Sequence, residues 1–143
     1  MTDLVITRIF DAPRELVYRA FTDPDQIAQW FGPVGWSVPR DTVTVDARVG
    51  GGQRFTMVSD TDPAQQSVVD ATFTEVVENE LLVGETAAEG EWAATRLRVE
   101  FHDEPGGRTR IVLTQGPYSP EWSSAASQGW ESSFTKLDKL FVG

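Results

Sequence analysis

Two stretches in the second half of the chain alternate strictly between apolar and polar residues, and nothing else in the sequence constrains the fold as tightly. Leu97, Val99 and Phe101 share one parity while Arg96, Arg98 and Glu100 take the other, and Thr109, Ile111 and Leu113 oppose Arg108 and Arg110 in the same way. A period of two with one charged face describes strands of a sheet that is dry on one side and wet on the other. Such a sheet needs a cover. The segment from Pro120 to Val142 supplies it, because Trp122, Ala126, Gly129, Trp130, Ser133, Phe134, Leu137, Leu140 and Phe141 recur there at three- and four-residue steps. This stripe is wider than a coiled-coil seam and suits a long helix lying in a concave sheet.

The rest of the chain fits around that pair. Leu4 to Phe10 is rich in β-branched residues and reads as a first strand. Asp11 before Ala12-Pro13 reads as a helix start, an acceptor side chain followed by a proline where no amide donor is needed. Leu16, Val17, Ala20 and Phe21 then form the apolar side of a short helix. Thr22-Asp23-Pro24 ends it and caps a second one, with Ile27, Trp30 and Phe31 as its apolar face, so the two helices should form a V. Phe31 to Pro39 contains Gly32, Pro33 and Gly35 and reads as neither helix nor central strand.

Strands are expected over 42–47, 53–59, 67–77, 81–86, 92–102 and 108–115. Turn signals separate them at Gly50-Gly51-Gly52, Asp60 to Pro63, Glu78-Asn79, Glu89-Gly90 and Pro105-Gly106-Gly107. Neighbouring strands joined by short turns make an antiparallel meander. The order is strand, two short helices, six strands and a long helix, which is the α+β class in a single domain over residues 1–143.

Composition removes several functions. The chain has no cysteine, so disulfides, thiolate nucleophiles and thiolate metal sites are all absent. The one histidine, His102, ends a strand on the polar parity and should face solvent, which argues against a Ser-His-Asp triad and against zinc. A net charge of −10 repels phosphate backbones and anionic membrane surfaces, so nucleic acid and membrane are not expected partners. No apolar run approaches a membrane span and no basic-then-apolar signal opens the chain, so the expected location is the cytoplasm. Gly50-Gly51-Gly52 lies near Arg48 and Arg54 but lacks the lysine and hydroxyl of a P-loop and precedes a strand, so it is a hairpin turn. Glu75, Glu78, Glu80, Glu85, Glu89 and Glu91 are read as solvated strand edges and turns.

Phe10-Asp11-Ala12-Pro13, Val17-Tyr18, Ala20 to Pro24 and Trp30-Phe31-Gly32-Pro33 resemble the opening of the family related to the activator of the ninety-kilodalton heat-shock-protein ATPase, within the START-like superfamily. Arg48 to Gly51 with Met57, Thr109 to Thr114, and Gly129-Trp130 before Phe134, Leu137 and Leu140 are similar to its later landmarks. The resemblance implies a helix-grip fold, the birch-pollen-allergen architecture, with a cavity between sheet and helix that holds an apolar small molecule. It also implies that Gly129 lets the helix approach the sheet closely. The co-chaperones that gave the family its name carry a separate N-terminal domain not expected here, so a chaperone partner is a secondary expectation.

Cavity candidates are the bulky or inward-parity residues Trp30, Phe31, Trp36, Phe55, Met57, Phe73, Leu97, Phe101, Thr109, Ile111, Trp122, Trp130 and Phe134. Thr95, Thr109 and Gln115 have the parity to orient a ligand by hydrogen bonds, and Tyr18 and Tyr118 are further donors. Trp36, in a turn-rich segment, is placed at the mouth. The leading functional expectation is binding of a small hydrophobic or aromatic molecule, as carrier, sensor or scavenger, without cofactor or metal. The alternatives are a polyketide cyclase- or dehydratase-like enzyme and a co-chaperone-type interaction module. No catalytic residue stands out. An open interior favours binding or catalysis, and a filled core with an outer apolar patch favours the interaction module.

Overall fold

A computed structural model describes residues 2–87 and 94–141. Its elements are β1 (Thr2–Phe10), α1 (Arg14–Thr22), α2 (Pro24–Trp30), β2 (Trp36–Ser37), a 3-10 turn (Arg40–Thr42), β3 (Thr44–Val45), β4 (Gly52–Ser59), β5 (Gln66–Val77), β6 (Leu81–Thr86), β7 (Thr95–Glu104), β8 (Arg108–Tyr118) and α3 (Pro120–Leu140). The strand start expected at Trp92, the turn at Glu89-Gly90, the carboxylates of Glu89 and Glu91 and the helix end at Val142 lie outside the described residues. All pairings are antiparallel, and the strands form one sheet in the order β1-β8-β7-β6-β5-β4-β2, with β3 also on β4. The sheet curls around α3, which is the helix-grip architecture.

Alternation puts the same parity inside along each long strand. Val99 and Phe101 on β7 and Thr109, Ile111 and Leu113 on β8 are buried, and Leu4, Ile6 and Phe10 on β1 join them. Trp130, Phe134 and Leu137 from α3 close the core from above. Phe134 sits edge-on to Phe10 at 5.4 Å and stacked on Trp30 at 6.2 Å. Arg8 ties β1 to α3 through Glu131 and Asp138, with its guanidinium 5.6 Å from the Phe10 ring centre.

The V of α1 and α2 is held by its unsatisfied carbonyls. The last carbonyls of a helix lack intrahelical donors and need other partners. Ala20 O accepts from the Trp30 indole Nε1 at 2.8 Å, Arg19 O from Asp23 N at 2.7 Å, and Phe21 O from Gln53 Nε2 on β4 at 3.3 Å. Asp23 then caps α2 by accepting from Asp25 N, as its place before Pro24 suggests.

Several local expectations are corrected. Asp11 does not cap α1. The cap position is Pro13, without a side-chain bond, because the Ala12 carbonyl is pinned to β8 by the Thr109 hydroxyl at 2.7 Å and the helix starts at Arg14. Leu16 faces solvent at 42% exposure, and α1 buries Val17, Tyr18, Ala20 and Phe21 instead. The strand expected over 42–47 shrinks to Thr44–Val45. Thr42 there is spent on a 3-10 turn, its hydroxyl donating to Pro39 O and accepting from Thr56 N. Gly52 belongs to β4 rather than to the turn. Trp122 is 53% exposed and lies off the buried stripe of α3. Gly129 makes no close approach, since a Cβ built there meets nothing within 4 Å.

Candidate functional site

The two ends of the space between sheet and helix are filled differently. Around Phe10, Phe101, Ile111, Phe134 and Leu137 large side chains meet in one buried cluster. Towards Thr86 and Thr95 the inward positions become small: Ala71 on β5 and Gly84 on β6 line the sheet side, Ala126 and Gly129 the helix side. Side chains this short cannot reach across, and a pocket of about 240 Å3 remains. Val69, Phe73, Leu82, Leu97, Val99, Phe21, Met57 and Trp130 complete its apolar lining, and Phe31, Gly32 and Pro33 join it from the loop after α2.

That loop is fixed from α3. Val34 N donates to Ser132 Oγ at 2.8 Å, and Lys136 Nζ donates to the carbonyls of Trp36 at 3.1 Å and Phe31 at 3.4 Å. Gly32 has φ +91° and Gly35 φ +99°, which only glycine adopts without strain. Burial pushes the Lys136 ammonium below the ordinary lysine range, with Asp60 opposing.

Polar groups in the wall are few. Gln115 Oε1 accepts from the Trp130 indole at 2.8 Å, the Thr86 and Thr95 hydroxyls share a 2.8 Å bond, and Ser133 Oγ donates to Gly129 O at 3.0 Å. Gln53 donates to Phe21 O, as described above. None of the lining residues among the described ones is ionisable. The chemistry of this surface is therefore solvation by apolar contact with a few directed hydrogen bonds.

Residues 11–142 match the family model described as Activator of Hsp90 ATPase homolog 1-like protein. The chain belongs to this family. No curated protein matches the sequence. Solved structures of similar shape include a protein from Chromobacterium violaceum at 24% identity and TM-score 0.84, covering 98% of this chain and 97% of that one. A protein from Nitrosomonas europaea, also at 24% identity, superposes with TM-score 0.81 over 97% of this chain and 93% of its own. The AHSA1 protein from Silicibacter pomeroyi is 25% identical, with TM-score 0.77 and 96% of each chain covered. These likenesses establish the shared fold. Among the described residues of this AHSA1-like chain, no helix is long and apolar enough to cross a membrane.

The structure brings Phe31, Met57, Phe73, Leu97 and Trp130 of the sequence candidates to the pocket. Trp30, Phe55, Phe101, Thr109, Ile111 and Phe134 are sealed in the core at 2% exposure or less. Trp36 forms the short edge strand β2, outside the pocket lining, and its backbone carbonyl accepts from Lys136 on α3. Trp122 points outward at the start of α3. Thr95 and Gln115 line the pocket, whereas the Thr109 hydroxyl is used by Ala12. Tyr18 packs edge-on to Phe101 at 5.4 Å and Tyr118 packs against the core, and burial pushes both phenols up.

Lining residues passed over in the sequence include Phe21, Gln53, Val69, Leu82 and Val99, and above all the small ones. A signal for them existed: Ala71 and Gly84 share the inward parity of Phe73 and Leu82, and Ala126 and Gly129 fall on the buried stripe of α3. Four small residues on facing surfaces predict a void better than large ones do, because large ones fill the space they face.

Proposed function

We propose that this domain binds one small, mostly apolar molecule in the pocket between α3 and the sheet, as a carrier, sensor or scavenger. The observation that carries this reading is the pocket itself, a space of about 240 Å3 walled by apolar side chains and left open by Ala71, Gly84, Ala126 and Gly129. An apolar cavity of about 150 Å3 accommodates benzene, and drug-sized ligands occupy about 300–1,000 Å3. A ligand of one or two rings fits between these limits, which is smaller than a long fatty acid or a polycycle. Binding is preferred over cyclase-type catalysis because proton transfer needs a titratable group in reach of the ligand, and the described residues of the lining offer none. A cytoplasmic setting belongs to the same proposal, since a cysteine-free chain takes no advantage of an oxidising compartment.

The test is a thermal-shift and tryptophan-fluorescence titration with neutral one- and two-ring aromatics. Trp130 lines the pocket and should report occupancy. Saturation at a hundredfold excess over the dissociation constant raises stability by about 2.7 kcal/mol, a readily measured shift. Flat emission and an unchanged midpoint across the whole panel would rule the reading out.

A further inference from the structure

Resting on that reading of the pocket, we infer that its ligand is an uncharged molecule with a hydrogen-bond acceptor at the Gln115 end and a donor at the Gln53 end. The argument begins with the two amides, each of which carries an acceptor oxygen and a donor nitrogen. Which end faces the pocket is set by the partner of the other end. The Trp130 indole can only donate, so the group it meets at 2.8 Å is the Gln115 oxygen, and the Gln115 NH2 is turned away from it. The Phe21 carbonyl can only accept, so the group it meets at 3.3 Å is the Gln53 nitrogen, and the Gln53 oxygen is turned away. The two glutamines are thus locked in opposite senses.

The unlocked ends have no protein partner among the described residues. No side-chain nitrogen or oxygen sealed from solvent lacks a partner among those residues. The free NH2 of Gln115 and the free oxygen of Gln53 therefore border open space, and both residues line the pocket. The neighbouring hydroxyls compete poorly for a ligand, because Thr86 and Thr95 bond each other and Ser133 donates to its own helix. Gln53 on β4 and Gln115 on β8 are separated by β5, β6 and β7. Four inter-strand steps of about 4.8 Å put the two strands about 19 Å apart measured across the curved sheet, with Gln115 about two residues along from the row of Gln53. Two side chains reaching inward leave a gap spanned by a ring with polar substituents at opposite ends.

Charge is selected against. With no ionisable residue among the described residues of the lining, a carboxylate or ammonium held by them would lose its hydration without a counter-ion. The ligand class is then a neutral aromatic or alicyclic compound with a carbonyl or ether oxygen at one end and a hydroxyl or N–H at the other.

The test is a titration of the whole chain, by Trp fluorescence and thermal shift, with para-hydroxyacetophenone, para-ethylphenol, acetophenone, para-ethyltoluene and para-hydroxybenzoate. The hydroxyketone should bind most tightly, each compound lacking one polar group about fivefold to tenfold more weakly, and the benzoate on the order of a hundredfold more weakly. In Gln115→Met, para-hydroxyacetophenone and para-ethylphenol should become equal while para-ethyltoluene keeps its affinity, which also shows the variant to be folded. If that variant does not fold, the ranking in the unaltered protein decides alone. Equal binding of para-ethyltoluene and the hydroxyketone, or a ketone preference that survives in folded Gln115→Met, overturns the inference and leaves the pocket as an apolar binding site. Binding of none of the five overturns the reading of the pocket itself.

Discussion

The Lys136 ammonium on α3 donates to the Trp36 carbonyl across 3.1 Å, so one side chain of the covering helix holds the far end of the loop that borders the pocket. Its second bond, to Phe31 O at 3.4 Å, holds the near end. Burial keeps the Lys136 pKa below the ordinary 10.5 in the folded protein, despite Asp60. The unfolded chain therefore binds this proton more tightly than the native one. The stability contributed by the group is present in full above 10.5 and lost as pH falls through the folded value. Lys136→Met lacks this contribution. The melting-temperature difference, unaltered protein minus variant, should grow as pH rises from about 7 towards 10.5, and a difference that shrinks over this window contradicts the assignment.

Two glycines should respond to alanine with opposite signs. At Gly129 an added Cβ meets nothing within 4 Å, so Gly129→Ala should stabilise α3 by up to about 1 kcal/mol. Gly129→Leu should fold and weaken ligand binding, because the longer side chain grows into the pocket. At Gly51 an added Cβ would lie 2.2 Å from the Asp46 carbonyl oxygen, and Gly51→Ala should cost about 1–3 kcal/mol. Urea denaturation of the two alanine variants side by side checks both signs.

Trp30→Phe tests the cap on α1. Trp30 is fully buried and its indole satisfies the Ala20 carbonyl. Phenylalanine keeps most of the apolar contact and removes the donor. Leaving a buried carbonyl without a partner costs about 1–3 kcal/mol, and the lost ring volume adds to it. Chemical denaturation should therefore show a loss of at least about 1 kcal/mol, and a neutral result would mean that the Ala20 carbonyl finds another donor.

Arg8→Ala should cost about 1–2 kcal/mol through two half-exposed ion pairs and the lost contact of its guanidinium with the Phe10 and Phe134 rings. Arg8→Lys should recover only part of that, because an ammonium does not present the planar fork that meets Glu131 and Asp138 together. A lysine variant as stable as the arginine protein would show that the fork is irrelevant.

The architecture was legible because long-range periodicity records burial. Leu97, Val99 and Phe101 could alternate against Arg96 and Arg98 only on a one-sided sheet, and the stripe from Ala126 to Leu137 could only be its cover. Caps and short strands were less legible because tertiary bonds decide them. Asp11 has the chemistry of a cap, but the Thr109 hydroxyl, distant in sequence, takes the Ala12 carbonyl and moves the helix start. The pocket was the least legible. A tryptophan announces itself in a sequence, yet Trp30 fills the core, and the space it leaves to others is marked by Ala71, Gly84, Ala126 and Gly129, whose effect depends on facing one another.

The pairing of β1 with β8 reaches beyond the finished structure. Phe10 lies opposite Thr109 and Thr2 opposite Tyr118, so β1 leaves the ribosome with its one sheet partner among the described residues still roughly a hundred residues away. α3, which closes the core, comes later still. Assembly during synthesis must therefore wait, with Leu4, Ile6 and Phe10 uncovered, until β8 and α3 have emerged. Nascent chains stalled before Arg108 should stay open to protease along β1, and protection should arrive in one step once β8 and α3 are free to close over it.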